Sequence, residues 1–371
     1  MPSGLETNTE YVNITGGSRI TGTVKVINDA DNQTGAHGSA LSIRTDEAII
    51  IDGDGHVEIR TYNDNSYAHT NAVRLHNDGA SLLIDKAGYN VTMALDAAGG
   101  QSTKYDEVAG IYVANNNQNV VINADNINFE NNGYNLGYGI WNGATPYGVT
   151  PTTGAHVKLT GNTQINTTGA GSAAVVTELA GGTTEFFGST KITTAGDSGK
   201  WGRGSGSDIG AHGVYNKAGT TNFHGNLFID TTGQDATAIH ALSGQVNLNH
   251  YSDGTEALAV ITTAKDNAHG IYNNKAVVNA ESHVNIFTAG AAASAVKVDG
   301  ASTTTLNGRN YLTTSGDKAH GIEVYAAASS KGSEEKAAQV KVGSDSTVYT
   351  QGNQSHGVYT CLLYTSDAAD D

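Results

Sequence analysis

The string Gly196-Asp197-Ser198-Gly199 has the make-up of a setting for a nucleophilic serine, the kind that a histidine and an aspartate activate for acyl transfer. Such a serine needs both partners delivered from elsewhere in the fold and an oxyanion hole beside it. Here the string grows out of Ile192-Thr193-Thr194-Ala195-Gly196-Asp197, which returns as Leu312-Thr313-Thr314-Ser315-Gly316-Asp317. A recurrent turn accounts for Ser198 without catalysis, and no catalytic residue is assigned.

The histidines are the next candidates. His212, His269, His320 and His356 share one position of a repeat, with Thr237 and Ser294 at that position in between. Imidazoles two stacked strands apart are about 10 Å distant, too far for one metal whose ligands sit near 2 Å. Only His320 and His356 fall in adjacent units, so the expected role is a half-buried ring packed beside Gly and Tyr. Asp52-Gly53-Asp54-Gly55-His56 opens like a calcium loop but lacks the further ligands and distal glutamate that such a loop requires. It reads as a tight turn between the apolar runs 49–51 and 57–59. Neither a metal nor a cofactor is expected. Cleavage of a polysaccharide would need carboxylates converging on one face, whereas Asp52, Asp54, Asp106 and Glu107 are scattered with respect to the repeat.

Those positions depend on the unit that carries them. Ile229-Asp230-Thr231-Thr232-Gly233, Ile261-Thr262-Thr263, Phe287-Thr288-Ala289-Gly290 and Leu312-Thr313-Thr314-Ser315-Gly316 each run within a few residues into a small-apolar step such as Ala268-His269-Gly270-Ile271-Tyr272. Taking the residue before that step as a marker gives Ser39, Asn71, Ala109, Tyr138, Ala173, His212, Thr237, His269, Ser294, His320 and His356. The spacing is that of solenoid units. Longer intervals hold insertions at 199–207 and 326–336, the corners where a binding loop is most easily built. Within one unit, 270–272, 276–279 and 283–287 read as three short strands separated by turn residues. Three such strands suit one rung of a parallel β-helix, each pairing with its equivalent about 4.8 Å above and below. The expected fold is therefore all-β, a β-solenoid of about 10–11 irregular rungs over residues 1–360, with 1–30 either a first rung or a cap.

Composition agrees. Glycine is high at 47 residues, proline low at 3 and charged residues only 15%, which excludes collagen and proline-rich linkers and predicts frequent turns. A formal charge of −16 with 20 Lys plus Arg argues against a nucleic-acid partner, which needs clustered cations, and against anionic membranes. No stretch reaches the roughly 20 apolar residues of a spanning helix. The first residues lack the basic and apolar regions of a signal peptide, so the chain is either cytosolic or exported by a signal outside this stretch. Residues 361–371 break the repeat and are similar to the translation of a transposon-end sequencing adapter, so they are set aside as a non-native tail. That tail holds the only cysteine, Cys361, and three aspartates, whose removal changes −16 to −13. The natural chain is expected to continue beyond Thr360.

The phrase 313–322, echoed at 262–272 and 348–359, resembles the passenger repeats of bacterial autotransporters of the pertactin-like type. The resemblance covers residues 30–360, most strongly from about 160 onward, and lies in pattern and composition rather than in an invariant motif. It implies a right-handed parallel β-helix displayed at the outer membrane of a Gram-negative cell, exported by a signal peptide and a C-terminal β-barrel that lie outside this chain. The function expected on that basis is non-enzymatic adhesion, with a host surface glycan or protein, or another copy of the chain, as partner. The binding residues are not chosen by the sequence. A β-helical polysaccharide lyase or hydrolase, and a structural spacer for another module, are the alternatives.

Overall fold

A computed structural model describes residues 3–7, 12–29, 39–63, 70–97, 108–133, 135–143, 151–200, 208–327 and 338–363. Every regular element among them is a strand. All pairings are parallel except the short antiparallel pair Gly199–Lys200 with Asp208–Ile209. The strands form two long sheets, one of 12 and one of 19 strands. Each turn of chain gives one strand to the smaller sheet, such as Ile271–Asn274. It gives the larger sheet either two short strands, such as Val277–Ala280 and His283–Thr288, or one long strand such as Asn119–Asn132. Ile271 faces Ile239 of the turn before and Val296 of the turn after. This stacking of successive turns is a parallel β-solenoid, and the three strand pieces predicted for the His269 unit lie where expected.

The smaller sheet holds 12 strands rather than 10 or 11. The additional strand is Val12–Ile14, which reads as a strand in the sequence but lacks the repeat phrase, and it pairs with Leu41–Ile43. Ser18–Asp29 stacks beneath both Ala48–Asp52 and Val57–Asn63, as an ordinary rung does, and Ser3–Thr7 pairs beneath it in turn. The strand Val358–Leu363 runs across the boundary expected at Thr360, with Cys361 opposite Tyr325. Of the predicted insertions, 201–207 and 328–336 lie outside the described residues, as do Asp106 and Glu107.

Alternate residues of each strand point inward and stack in columns. Ile229, Ile261, Ile286 and Leu312 form one such column and Ile239, Ile271, Val296 and Ile322 another, all buried. Phe186 and Phe223 stack inside with ring centroids 4.8 Å apart and planes 7° from parallel. Each fully buried Ile, Val or Leu contributes about 1.5–3 kcal/mol, and because a rung touches only its neighbours the stabilisation accumulates rung by rung.

The repeated phrase is a corner. Its second threonine is buried and donates to the carbonyl five residues on, Thr263 to Ala268 at 2.5 Å and Thr314 to Ala319 at 2.7 Å. The glycine that follows stacks on the corner below. A Cβ on Gly316 would lie 1.9 Å from Gly290 O, so no larger residue fits. Two residues before the marker the chain enters the left-handed region, at Leu136, Gly171, Asp235, Asn267, Ala292, Lys318 and Gln354, with φ between 54° and 66°. The preceding side chain supports this turn from the rung below. Asp197, Asp266 and Asp317 accept the N–H groups of Gln234, Ala291 and Asn353 at 2.7–2.8 Å. Acidic and uncharged residues therefore alternate up the column, so carboxylates never stack on one another in these six rungs, which avoids like-charge repulsion between adjacent strands.

Candidate functional site

The marker residues lie in one register column along the edge of the smaller sheet, as the pairings Asn71 with Ala109 and Ala109 with Tyr138 continue upward. Five of them accept a backbone N–H from the next rung through the side chain. His212 Nδ1 accepts from Thr237 N at 3.1 Å, His269 Nδ1 from Ser294 N at 3.0 Å and His320 Nδ1 from His356 N at 3.1 Å. Asn71 Oδ1 does the same for Ala109 N at 2.9 Å, and Ser294 Oγ for His320 N at 3.2 Å. An imidazole that accepts at Nδ1 carries its proton on Nε2 and is neutral. Burial reinforces this, lowering His269 to about 3 and His240 to about 4 and pushing His212 and His320 down as well. The ring expected to be half-buried beside Gly and Tyr is buried at His212, His269 and His320, and it is also a hydrogen-bond acceptor between rungs.

Three residues beyond each marker lies a second outward column that the sequence reading passed over: Arg74, Tyr112, Trp141, Val176, Tyr215, His240, Tyr272, Lys297, Glu323 and Tyr359. Its signal was available, since the residue follows an inward-pointing Ile or Val in nearly every unit. Tyr112 and Trp141 contact at 4.7 Å between centroids, and His240 and Tyr272 stack at 4.7 Å. Lys297 Nζ lies 5.4 Å from the ring centroids of both Tyr272 and Tyr325. Around Tyr112, Tyr138, Trp141 and Tyr215 this face is buried as a second apolar cluster. Further along, it opens into a cleft of about 460 Å³ bounded by His269, Lys297, His320, Glu323, Tyr325 and Tyr359. His212 Nε2 meets His240 Nδ1 at 3.0 Å, a pairing across rungs that the marker column alone does not contain. Among the described residues no group of three or more His, Cys, Asp or Glu is placed to hold a metal ion.

The other sequence candidates are held by structural contacts. Ser198 Oγ donates to Asp235 O at 2.9 Å and accepts from Ala211 N at 3.0 Å, so its hydroxyl ties the corner to the next rung. Asp52 forms an ion pair with Arg19. The carbonyls of Asp52 and Gly53, with that of Gly22 one rung below, receive the buried ammonium of Lys86 at 2.8, 3.1 and 2.5 Å. The calcium-like turn is thus filled by a lysine from the rung above.

The outward face of the larger sheet is different in character. Phe228, Phe287, Tyr311 and Tyr349 are 37–49% exposed, and a shallow groove of about 290 Å³ runs beside Tyr311 between His283, Asn285, Arg309, Asp345 and Thr347. Comparison of the chain with protein-family models, with curated proteins and with solved structures finds no match in any of the three.

Proposed function

We propose that this chain is the passenger of a bacterial autotransporter, a non-enzymatic rod at the cell surface that adheres to host or matrix or associates with copies of itself. The observation that carries the reading is the set of exposed aromatic side chains on the larger sheet, Phe228, Phe287, Tyr311 and Tyr349, since large apolar groups gathered on one open face mark an interaction surface. The corner phrase supports the family assignment by its pattern. The right-handed coil belongs to the same proposal, and the strong preference for right-handed connections between parallel strands, about 98% of cases, favours it. Surface location rests on export elements outside the chain. Displayed on cells, the folded rod is expected to make them clump or to hold them on immobilised matrix, and failure in both assays would sink the proposal. Release of unsaturated or newly reducing ends from an acidic polysaccharide would put a lyase or hydrolase in its place.

A further inference from the structure

On the second half of the larger sheet, each of five successive rungs presents one apolar and one polar side chain outward. The pairs are Phe228 with Asp230, Val260 with Thr262, Phe287 with Asn285, Tyr311 with Thr313, and Tyr349 with Thr347. The two outward columns are in register, so the pairs form a ladder with one step about every 4.8 Å, its apolar member standing in one column at Phe228, Val260 and Tyr311 and in the other at Phe287 and Tyr349. Phe287 and Tyr311 lie 5.9 Å apart between centroids and tilt by 55°, which leaves ring surface open between them. Of the ten residues only Asp230 is charged. The groove beside the ladder balances Arg309 against Asp345.

We infer that this ladder is a binding track for an uncharged glycan chain lying along the rod, with about one sugar ring per rung. The inference rests on the adhesin reading and names its ligand. A pyranose has an apolar C–H face that packs on an aromatic ring and a rim of hydroxyls that pairs with Asn and Thr, so each rung offers what each sugar unit needs. A protein partner is generally recognised through a few central anchors rather than through one apolar and one polar contact on every rung. Single-stranded nucleic acid also stacks on successive rings but requires a cationic groove, and this ladder has none. A polyuronate would meet Asp230 without a compensating row of cations.

Affinity gel electrophoresis of the full chain through hydroxyethylcellulose, galactomannan, starch and polygalacturonate tests this. At least one neutral polymer is expected to retard the chain, and polygalacturonate is not. F287A/Y311A should weaken that retardation roughly tenfold or more, whereas Val277→Thr, on the other half of the same sheet, should leave it intact. Unchanged melting of both variants shows that folding is not the cause. Retardation by none of the neutral polymers, or equal retardation of the double variant, overturns the inference. So does a rod that self-associates in sedimentation and becomes monomeric on F287A/Y311A, which would assign the ladder to a second copy. In either case continued clumping or matrix retention by displaying cells would leave the adhesin reading standing.

Discussion

At the marker position the useful property of histidine is an acceptor nitrogen that reaches one strand spacing upward. Asn71 and Ser294 serve the same end with shorter side chains. Replacing His269 by Ala leaves the buried N–H of Ser294 without its partner and should cost about 1–3 kcal/mol, while His269→Asn, which restores an acceptor, should cost less. Urea midpoints of the two variants check this. Burial of the same ring makes the rod acid-sensitive. Burial depresses the native value of His269 to about 3 from an ordinary 6.5, so below 6.5 the unfolded chain takes up a proton that the native chain refuses. Stability is therefore full above about pH 6.5 and falls as pH drops toward 3, by about 1.4 kcal/mol per pH unit for each such histidine. Urea midpoints at pH 7 and pH 4 should differ accordingly, and the difference should shrink in His269→Asn. The recurrence of His, Ser and Asn here was visible in the sequence. Their role was not, because it depends on where the next rung's backbone lands. Ser198 is the converse case, since its repeat context assigned it to a corner and its hydroxyl bonds to the next rung there.

Elements in this fold are defined by their corners more than by their strands. The glycine after each marker histidine packs its bare Cα against the opposite sheet. A Cβ on Gly270 would come within 2.3 Å of Ile286 Cγ2 and 2.6 Å of Ala295 O. Gly270→Ala should therefore lower stability by about 1–3 kcal/mol through overpacking, and Thr314→Val by a comparable amount through the lost donor to Ala319 O. Thermal melts of the single variants measure both. The three strand pieces of the His269 rung were legible because each is a short alternating run between turn residues. Val12–Ile14 was legible as a strand, but its place as a rung stayed open because its corner does not spell the phrase, although its inward residues continue the same columns. The second outward column was passed over for another reason: periodicity places its residues on the outward face, and only stacking reveals what they meet.

For the whole molecule, equivalence of rungs implies that one can be removed. Deletion of residues 237–268 joins Ala236 to His269 and brings Gln234 under Ala291, two uncharged residues, so no carboxylates are stacked on one another. Deletion of 269–293 joins Ala268 to Ser294 but brings Asp266 under Asp317. Both shortened rods should fold with unchanged circular dichroism per residue. The second should be the less stable at low salt and regain part of the difference as salt is added, which urea titration at two ionic strengths will show. The recurring phrase, glycine content and the marker spacing made the solenoid readable in advance, while the count of rungs and the pairs exposed on the larger sheet required the stacking itself. Lys86 carries a consequence of its own at this scale. An ammonium tethered to the backbone cannot be diluted, chelated or exchanged for another ion, so the corner it fills is independent of the mineral content of the medium. A cell that displayed this rod could move between calcium-rich and calcium-poor surroundings without that corner opening. The route left for disturbing it from outside is alkali, since burial already lowers the point at which Lys86 gives up its proton.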